Sequence, residues 1–363
     1  MNLLKLDLAR FRSYDKADFS FEPGAVHILQ GANAQGKTNV IEAICYLSNL
    51  RSFRTSQPAS LVKYGETGFA LNAKVETGHR KEMLRIYMDQ GKKHLFHNGN
   101  PVGTFSAFVG ILNAVLFCPD DLTLFTDSPS VRRKFVDTEL VKLSRNYTSM
   151  LSGYQKLLKS RNNLLKNGSP DPHLLAALTE QMTDAQLVIM EQRARFIHEL
   201  MEKAGKLYPF FSRGEETLTA VYKTAVDLEG DARTQLQEAY ARSLQRDLLY
   251  RTTSVGVHKD DVLFYLNGHL LAQSASQGQK RSALLALKLA LCEMIKEKSG
   301  EYPVFLLDDV FSELDSSRQQ KLIDLLMKDM QIFITTASPI QADWNGRPVY
   351  IHEIQKKEKE QTQ

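Results

Sequence analysis

The chain has 363 residues, of which 43% are hydrophobic and 24% are charged, a composition typical of folded globular proteins and not of intrinsically disordered ones. Its net charge of +4 does not by itself indicate a nucleic-acid partner, and three scattered cysteines provide neither a disulfide framework nor a zinc site. The apolar runs are far shorter than a membrane span and the N-terminus has no signal-peptide pattern, so we expect a cytoplasmic protein.

The first 125 residues are predicted to form mainly β-strands. Apolar and polar side chains alternate from Leu4 to Leu8 and from Phe69 to Val75, which indicates strands with one buried face. The apolar run at 26–29 is typical of a strand buried on both faces, and a glycine-bearing loop and a helical pattern at 39–50 follow it. This order of strand, loop and helix indicates an α/β fold.

The pattern becomes helical after about residue 125. Apolar residues repeat every three or four positions from Leu140 to Leu157, which predicts one long helix, and again from Leu175 to Leu200. Between them, a glycine and two prolines at 167–172 cannot continue a helix. We therefore expect an antiparallel helical hairpin whose apolar stripes form a core, with a partner-binding coiled coil as the alternative.

Strand and helix patterns alternate again in the last third of the chain. Alternation at 262–266, an apolar helix at 283–296 and short apolar strands at 304–307 and 332–335 indicate a return to α/β structure. The predicted organisation is one discontinuous lobe at 1–125 and 250–355, a largely helical lobe at 126–249, and a polar tail at 356–363.

The octet at 31–38 matches the phosphate-binding pattern G-x-x-x-x-G-K-[ST], between a predicted buried strand and a helix. Its residues are Gly31, Ala32, Asn33, Ala34, Gln35, Gly36, Lys37 and Thr38. Small residues let backbone N–H groups surround phosphate oxygens, and the helix N-terminus adds its positive dipole end. We expect Lys37 to neutralise the β and γ phosphates of ATP and Thr38 to bind Mg²⁺; a glycine turn with an incidental lysine is the alternative.

Two acidic residues follow the apolar strand at 304–307. Asp308 is the expected Mg²⁺ partner at the carboxyl end of this strand, and Asp309 is expected to act in catalysis by polarising the attacking water. An ordinary helix or turn cap is the alternative for such a pair. Because the pair lies far from the phosphate loop in sequence, the nucleotide fold must contain a long insertion.

A third segment precedes the predicted apolar helix. It consists of Ser276, Gln277, Gly278 and Gln279. Ser276 is a favourable N-cap residue and Gly278 permits close backbone approach, so a helix cap alone could explain the segment. The order of phosphate loop, segment 276–279, paired acids and an S-x-L-D loop at 312–315 nevertheless resembles the heads of ABC-type ATPases.

Within that class the sequence resembles the RecF family, which is related to the structural-maintenance-of-chromosomes proteins, over nearly the whole chain. The residues that carry the resemblance are 11–14, 31–38, 52–55, 117–122, 128–133, 256–261, 276–279 and 307–315. The resemblance implies an α/β fold: an ABC-type P-loop ATPase head, with a mixed sheet and an antiparallel β-subdomain, and an inserted helical-hairpin second lobe.

The resemblance also implies roles for individual residues. Two subunits would sandwich two ATP molecules, with Ser276 of one chain facing the γ-phosphate held by Lys37 of the other. Arg12 and Ser13 would reach the nucleotide, and an aspartate rather than a glutamate at 309 implies slow hydrolysis. The D-loop would contain Ser312 and Asp315.

The chain departs from related sequences at two places. Thr335 and Thr336 follow the last core strand, where transporter ATPases carry a switch histidine, so no residue is assigned as the γ-phosphate sensor. Val257 and Lys259 stand where the RecF family carries a proline and an arginine, so the role of the intervening His258 is left open.

A basic stretch at 128–170 is hidden by the low net charge. It holds nine basic and two acidic residues, a balance of +7, against −3 for the rest of the chain. Such a charge neutralises phosphates without reading sequence, so we expect DNA to bind here. The candidate contacts are Arg132, Arg133, Lys134 and Arg145, with Arg51 and Arg54 as a second patch. A solvated helix face is the alternative, as is a structural tie from Arg132 or Arg133 to the head.

These expectations combine into an ATP-gated clamp. ATP would close a homodimer on double-stranded or gapped DNA without sequence preference, and slow, DNA-stimulated hydrolysis would reopen it. The resemblance implies RecR as a partner, with RecO and RecA acting downstream. The alternatives are the ATPase subunit of a membrane transporter, which the missing switch histidine disfavours, and a small-molecule kinase, which would leave segment 276–279 unexplained.

Overall fold

The computed structural model describes residues 1–78, 80–167, 170–212, 216–311, 314, 316–326 and 328–355. Its strands are β1 Asn2–Phe11, β2 Tyr14–Ser20, β3 Val26–Gln30, β4 Gly68–Thr77, β5 Arg80–Asp89, β6 Lys92–His97, β7 Asn100–Pro101, β8 Ala114–Phe117, β9 Leu218–Lys223, β10 Asp261–Leu266, β11 His269–Leu270, β12 Val304–Leu307, β13 Ile332–Thr336 and β14 Val349–Glu353. Its α-helices are α1 Lys37–Asn49, α2 Phe105–Phe108, α3 Thr123–Thr126, α4 Pro129–Leu143, α5 Arg145–Lys166, α6 Pro172–Phe211, α7 Ala232–Tyr250, α8 Leu271–Ser274, α9 Gln277–Ser299 and α10 Ser316–Leu325.

These elements form two compact units. One combines Met1–Asp121 with the described residues from Lys288 onward, and the other is Leu122–Leu287. The sequence pattern predicted that residues 250–287 belong to the first lobe, whereas in the structure they lie in the second unit. The reason is that β10 pairs along its whole length with β9, which is itself part of the second unit.

The first unit contains two sheets. Strands β2-β1-β4-β5-β6-β7 form an antiparallel sheet, and β14-β3-β13-β12-β8 form a parallel one. The apolar runs of β8 and β12 are buried along their whole length, as expected for strands inside a parallel sheet. The predicted combination of antiparallel and parallel β-structure is confirmed, and the carboxyl ends of β3, β12 and β13 meet at one edge of the parallel sheet.

The second unit combines helices with the small antiparallel sheet β11-β10-β9. Helices α5 and α6 run antiparallel, because Ser144 hydrogen-bonds to Gln192 near one end and Arg161 to Thr179 near the other. This arrangement confirms the predicted helical hairpin. No helix in the described part of the chain is both long enough and apolar enough to span a membrane.

The predicted single helix through 140–157 is wrong, since the structure breaks it at Ser144. The backbone of Ser144 is extended, with φ −141° and ψ 110°, and its hydroxyl oxygen accepts a hydrogen bond from the N–H of Tyr147. Serine favours this N-cap role, so the residue ends α4 and starts α5 although the apolar spacing continues across it.

Candidate functional site

The octet that matches the phosphate-binding pattern follows β3 directly, and its last two residues begin α1, so the predicted order of strand, loop and helix is present. Gly36 caps α1 with φ +110°, and a side chain there would meet the hydroxyl of Tyr14 at 2.8 Å. A side chain at Gly31 would meet the carbonyl oxygen of Ile354 at 2.3 Å. Glycine is therefore required at both ends of the loop, by backbone conformation at one position and by close packing at both.

Lys37 opens α1 and folds back over the loop. Its Nζ donates hydrogen bonds to the carbonyl oxygens of Gly31 at 2.6 Å and Ala32 at 2.9 Å. The residue is only 7% exposed, so its ammonium group is held beside the positive N-terminal end of the helix. The arrangement concentrates positive charge and backbone donors where an anion can bind.

Asp308 and Thr38 meet at the carboxyl edge of the parallel sheet. Thr38 Oγ1 donates to Asp308 Oδ1 at 3.0 Å, although 270 positions separate the two residues in sequence. Burial raises the pKa of the Asp308 carboxyl, against the opposing effect of its hydrogen bonds to Thr335 and Thr38. The strand order thus brings together two residues that the sequence singled out in distant motifs.

Thr335 was assigned no role from the sequence, yet its side chain joins both acidic residues. Its Oγ1 donates to Asp308 Oδ1 at 2.7 Å and accepts a hydrogen bond from the N–H of Asp309 at 2.8 Å. Thr335 is 1% exposed and lies on β13, next to β12. Asp309 itself is exposed, with a left-handed backbone at φ +56°. Thr335 therefore fixes the direction in which the chain leaves β12.

The donor set of this site fits a hard divalent cation. A hydroxyl and a carboxylate oxygen 3.0 Å apart are ligands of the kind that Mg²⁺ takes from proteins. Across the described ranges no group of three or more acidic, histidine or cysteine side chains forms a denser metal site. Mg²⁺ commonly binds through one or two protein oxygens together with substrate phosphates, so Thr38 and Asp308 could hold it.

Arg12 is engaged by a carboxylate that the sequence analysis missed. Its Nε and Nη2 donate to the two carboxylate oxygens of Glu42 at 2.8 and 2.6 Å, and its Nη1 donates to the carbonyl of Ser60 at 2.7 Å. Glu42 is 0% exposed and also accepts from the hydroxyl of Ser52 at 2.5 Å. The only available signal was one glutamate within the apolar pattern of α1.

Ser13 lies beside the phosphate loop. Its Oγ accepts a hydrogen bond from Asn39 Nδ2 at 2.9 Å and lies 3.2 Å from where a Cβ at Gly36 would stand. Arg54 donates to Asn39 Oδ1 at 3.1 Å, with its side chain 43% exposed, and Arg51 is exposed. Ser13, Asn39 and Arg54 therefore form a chain of contacts along the first turns of α1.

Segment 276–279 forms the N-terminus of α9. The N–H of Gln279 donates to Ser276 Oγ at 3.2 Å and the N–H of Ser276 donates to Gln279 Oε1 at 2.8 Å, which is a reciprocal capping box. Gln279 Nε2 also donates to Glu216 Oε1 at 2.7 Å, and Tyr208 donates to the other oxygen of Glu216 at 2.9 Å. Gln277 and Gly278 occupy the first turn, while Ser312 and Asp315 lie outside the described residues.

The structure gives Arg132 and Arg133 partners inside the second unit. Arg132 donates to both carboxylate oxygens of Asp261, at 2.6 and 3.0 Å, and Arg133 donates to the carbonyl of Asp260 at 2.6 Å. Burial lowers the pKa of Arg133. Both arginines thus tie α4 to the start of β10, which is a structural role, but the tie lies within the second unit and not to the head as the alternative had it. Lys134 and Arg145, the other two candidates, are exposed.

His258 has a structural position. Its Nε2 lies 3.0 Å from the carbonyl oxygen of Thr253, which can only accept, so Nε2 carries the proton. Its Nδ1 then accepts a hydrogen bond from the hydroxyl of Tyr154 at 2.6 Å. Burial lowers the pKa of His258 to about 4. The imidazole is therefore neutral near pH 7 and links α5 to the chain that leads into β10.

Comparison with known proteins gives a consistent family. A model of the RecF/RecN/SMC N terminal domain matches residues 2–359. The DNA replication and repair protein RecF of Halalkalibacterium halodurans is 37% identical over 351 residues, covering 93% of each chain. The RecF protein of Listeria innocua is 37% identical over 353 residues, covering 95% of each chain.

Solved structures show the same similarity. The recombination mediator protein RecF-ATPrS in the RecFOR pathway superposes with a TM-score of 0.88 at 32% identity, covering 97% of this chain and 96% of that one. RecF-ATP in the same pathway gives 0.87 at 34% identity, with 93% and 92% covered. An Smc head domain from Pyrococcus furiosus gives 0.53 at 17% identity, with 93% and 89% covered, which shows a shared fold.

Proposed function

The chain belongs to the RecF family of DNA replication and repair proteins, and from that premise we propose that it is an ATP-dependent DNA-binding clamp with slow ATP hydrolysis. The observation that carries the proposal is the meeting of Thr38 and Asp308, 3.0 Å apart, beside the loop that holds Lys37. The curated relatives are DNA replication and repair proteins, and one of the similar solved structures is RecF-ATP, so a transporter ATPase is not proposed.

The proposed chemistry assigns one task to each residue of this site. The loop N–H groups and Lys37 bind the phosphates of ATP, and Thr38 and Asp308 hold Mg²⁺. When bound, Mg²⁺ neutralises charge on the phosphate oxygens. Asp309, which is exposed beside the site, orients the attacking water. A carboxylate one methylene shorter than glutamate reaches that water less well, which agrees with slow hydrolysis.

We propose that ATP drives formation of a homodimer. The Ser276 hydroxyl and the N–H groups of Gln277 and Gly278, in the first turn of α9, form a helix N-terminus that suits an anion, here the γ-phosphate bound by the partner subunit. Glu216 holds Gln279 and so fixes the orientation of this turn. Arg12 and Ser13 are proposed to contact the nucleotide, which for Arg12 requires partial release from Glu42. Ser312 and Asp315 are proposed as the D-loop.

The proposed substrate of the clamp is double-stranded or gapped DNA, bound without sequence preference. Arg51, Arg54, Lys134 and Arg145 are exposed, at least in part, and available to phosphates. Arg132 and Arg133 contribute mainly by positioning α4, since both are occupied by contacts to residues 260–261. RecR is the proposed partner, and RecO and RecA are proposed to act with it.

Nucleotide-dependent assembly tests this proposal. We expect the molecular mass of the protein in solution to double with ATP and to stay that of a monomer with ADP. We expect duplex DNA to bind in the ATP state. Light scattering and fluorescence anisotropy with a labelled duplex measure the two effects. Equal mass and equal DNA affinity in ATP and ADP would contradict the clamp.

Replacing Thr335 with valine tests the position of the acidic pair. The variant keeps the shape of the side chain but removes the hydrogen bonds to Asp308 and to the N–H of Asp309. Hydrogen bonds to charged groups contribute about 1.5–3 kcal/mol, so we expect ATP hydrolysis to fall by about 10-fold or more. Phosphate release measures hydrolysis, and a fluorescent nucleotide measures binding, which should change little.

Thr335→Ser is the matched control, because it keeps the hydroxyl that both contacts need. We expect its hydrolysis to stay close to that of the wild type. Equal loss of hydrolysis in the serine and valine variants would show that the packing of the threonine methyl group, and not its hydrogen bonds, is what the site requires.

A further inference from the structure

We propose that the outward face of α5 is the surface along which the phosphate backbone of duplex DNA lies. This inference rests on the proposed DNA binding and adds the location of the contact. The helix lies entirely within the second unit. Three properties carry it: the composition of the exposed face, the arrangement of its charges and the contrast with the neighbouring helices.

The exposed side chains of α5 are all basic or uncharged polar. They are Arg145, Asn146, Ser149, Ser152, Gln155, Lys156, Lys159, Ser160, Asn163 and Lys166. Every one of them can donate hydrogen bonds, and none carries a negative charge or a large apolar group. Phosphate and sugar contacts use basic side chains together with the hydroxyl and amide groups of serine, asparagine and glutamine, so this face matches a nucleic-acid backbone.

The four charges lie along one side of the helix. At 100° per residue, Arg145, Lys156, Lys159 and Lys166 fall within an arc of about 80°. At 1.5 Å per residue, the 22 residues of α5 span about 33 Å. That length is close to one turn of B-form DNA, about 34 Å, so the helix can lie along the duplex and reach phosphates on both sides of a groove.

Helix α6, which pairs with α5, has the opposite character. Its exposed acidic residues are Glu180, Asp184, Glu191, Glu199 and Glu202. Its exposed basic residues are neutralised locally, since Arg195 pairs with Glu191 at 2.8 Å and Lys206 with Glu202 at 2.8 Å. On α7, Arg242 pairs with Glu238 at 3.2 Å in the same way. Within the described residues, no carboxylate forms an ion pair with any of the four basic side chains of α5 (Arg145, Lys156, Lys159 and Lys166). An external anion can therefore neutralise them.

The opposite side of α5 is fixed inside the unit. Tyr147, Tyr154 and Leu165 are buried, and Arg161 points inward to Asp247 at 2.8 Å. The helix therefore presents its basic face in a defined orientation, and DNA can bind to this face without first having to order the helix. The exposed face contains no aromatic side chain, which agrees with contact to the backbone and not to bases.

The test removes three charges from α5 and compares the loss with three removed elsewhere. The test variant is Lys156→Ala, Lys159→Ala and Lys166→Ala. The control variant is Arg195→Ala, Lys206→Ala and Arg242→Ala, which loses the same charge from paired, exposed positions in the same unit. Alanine preserves helix propensity at all six positions. Fluorescence anisotropy with a labelled duplex is measured at several salt concentrations in the presence of ATP.

We expect the test variant to bind duplex DNA at least about 30-fold more weakly at 0.1 M salt. The slope of log affinity against log salt should fall by about 2.7, because each phosphate contact contributes about 0.9. The control variant should keep the wild-type slope. Thermal melting and DNA-free ATP hydrolysis should be the same for both variants, which separates a lost contact from a lost fold.

Equal affinities and slopes in the test and control variants would overturn this inference, even if the wild type closes on DNA with ATP; the basic face would then serve another anionic partner, such as an acidic protein. A wild-type protein that binds DNA equally with ATP and ADP would overturn the clamp. The difference in DNA affinity between the test and control variants would then still decide whether α5 contacts DNA. A wild type that binds no duplex DNA in any nucleotide state would overturn both.

Discussion

Lys37→Ala is expected to lower ATP hydrolysis by about 100-fold or more, the effect expected when a preorganised group that stabilises transition-state charge is removed. The Lys37 ammonium group is the only basic group in the octet, and it already lies over the loop through its hydrogen bonds to Gly31 and Ala32. Phosphate oxygens would replace these carbonyls as its partners when ATP binds. Phosphate release measures the loss, and nucleotide affinity is measured separately.

The same substitution also removes two contacts within the loop, so the chemical effect has to be separated from a structural one. Lys37→Arg keeps the positive charge but cannot place it at the same point, because the guanidinium is larger and planar. Lys16→Ala removes an exposed lysine from β2 of the same unit and serves as the control for charge. We expect both Lys37 variants to melt near the wild-type temperature and both to lose hydrolysis. Normal hydrolysis in Lys37→Ala would contradict the assignment of this loop as the nucleotide site.

The sequence was sufficient to predict the parts of this site that depend on local pattern. A buried strand, a glycine loop and a helix are consecutive, and the carboxyl end of a second buried strand supplies Asp308. Parallel strands bring their carboxyl ends to one edge of a sheet, so Thr38 and Asp308 could be expected to meet across 270 positions. This prediction needed only the types of element and the direction of the strands.

Thr335 and Glu42 could not be assigned in this way. The role of Thr335 depends on the lateral order of strands, because β13 must lie next to β12 before its last residues can reach Asp308. Nothing in the local pattern of an apolar strand followed by threonines specifies that neighbour. Glu42 has its role because two separate segments, one with Arg12 and one with Ser52 and Arg54, meet around one side of α1.

Counting charges along the sequence overestimated the number of basic side chains that residues 128–170 expose, because burial also depends on contacts between distant segments. Of the nine basic residues at 128–170, Arg132, Lys142 and Arg161 are buried, each paired with a carboxylate. A charge count records how many such side chains there are but not the direction in which each one points. If the end of α4 at Ser144 had been recognised, helical periodicity counted from that residue would have placed Arg161 on the opposite face of α5 from Lys156 and Lys159.

Arg161→Ala is expected to lower the free energy of unfolding of the protein by about 3–5 kcal/mol, because it leaves Asp247 buried without its cation. Arg161 is 1% exposed and donates from Nη1 to Asp247 Oδ2 and to Thr253 Oγ1, both at 2.8 Å. Its guanidinium also lies 5.2 Å from the ring centre of Tyr240, a cation–π contact. Denaturant unfolding, followed by circular dichroism, measures the change.

A double-mutant cycle decides whether this loss comes from the pair or from the desolvated carboxylate alone. Asp247 is 0% exposed and accepts two further hydrogen bonds from Ser254, at 2.9 and 2.6 Å, so it has other partners when Arg161 is gone. If the unpaired charge dominates, Arg161→Met with Asp247→Asn should recover a large part of the stability lost in Arg161→Met, since removing both charges is often close to neutral. Additive losses in the double variant would contradict this account. The exposed pair of Arg195 and Glu191 is the matched control, for which removal of the arginine should leave the denaturation midpoint unchanged.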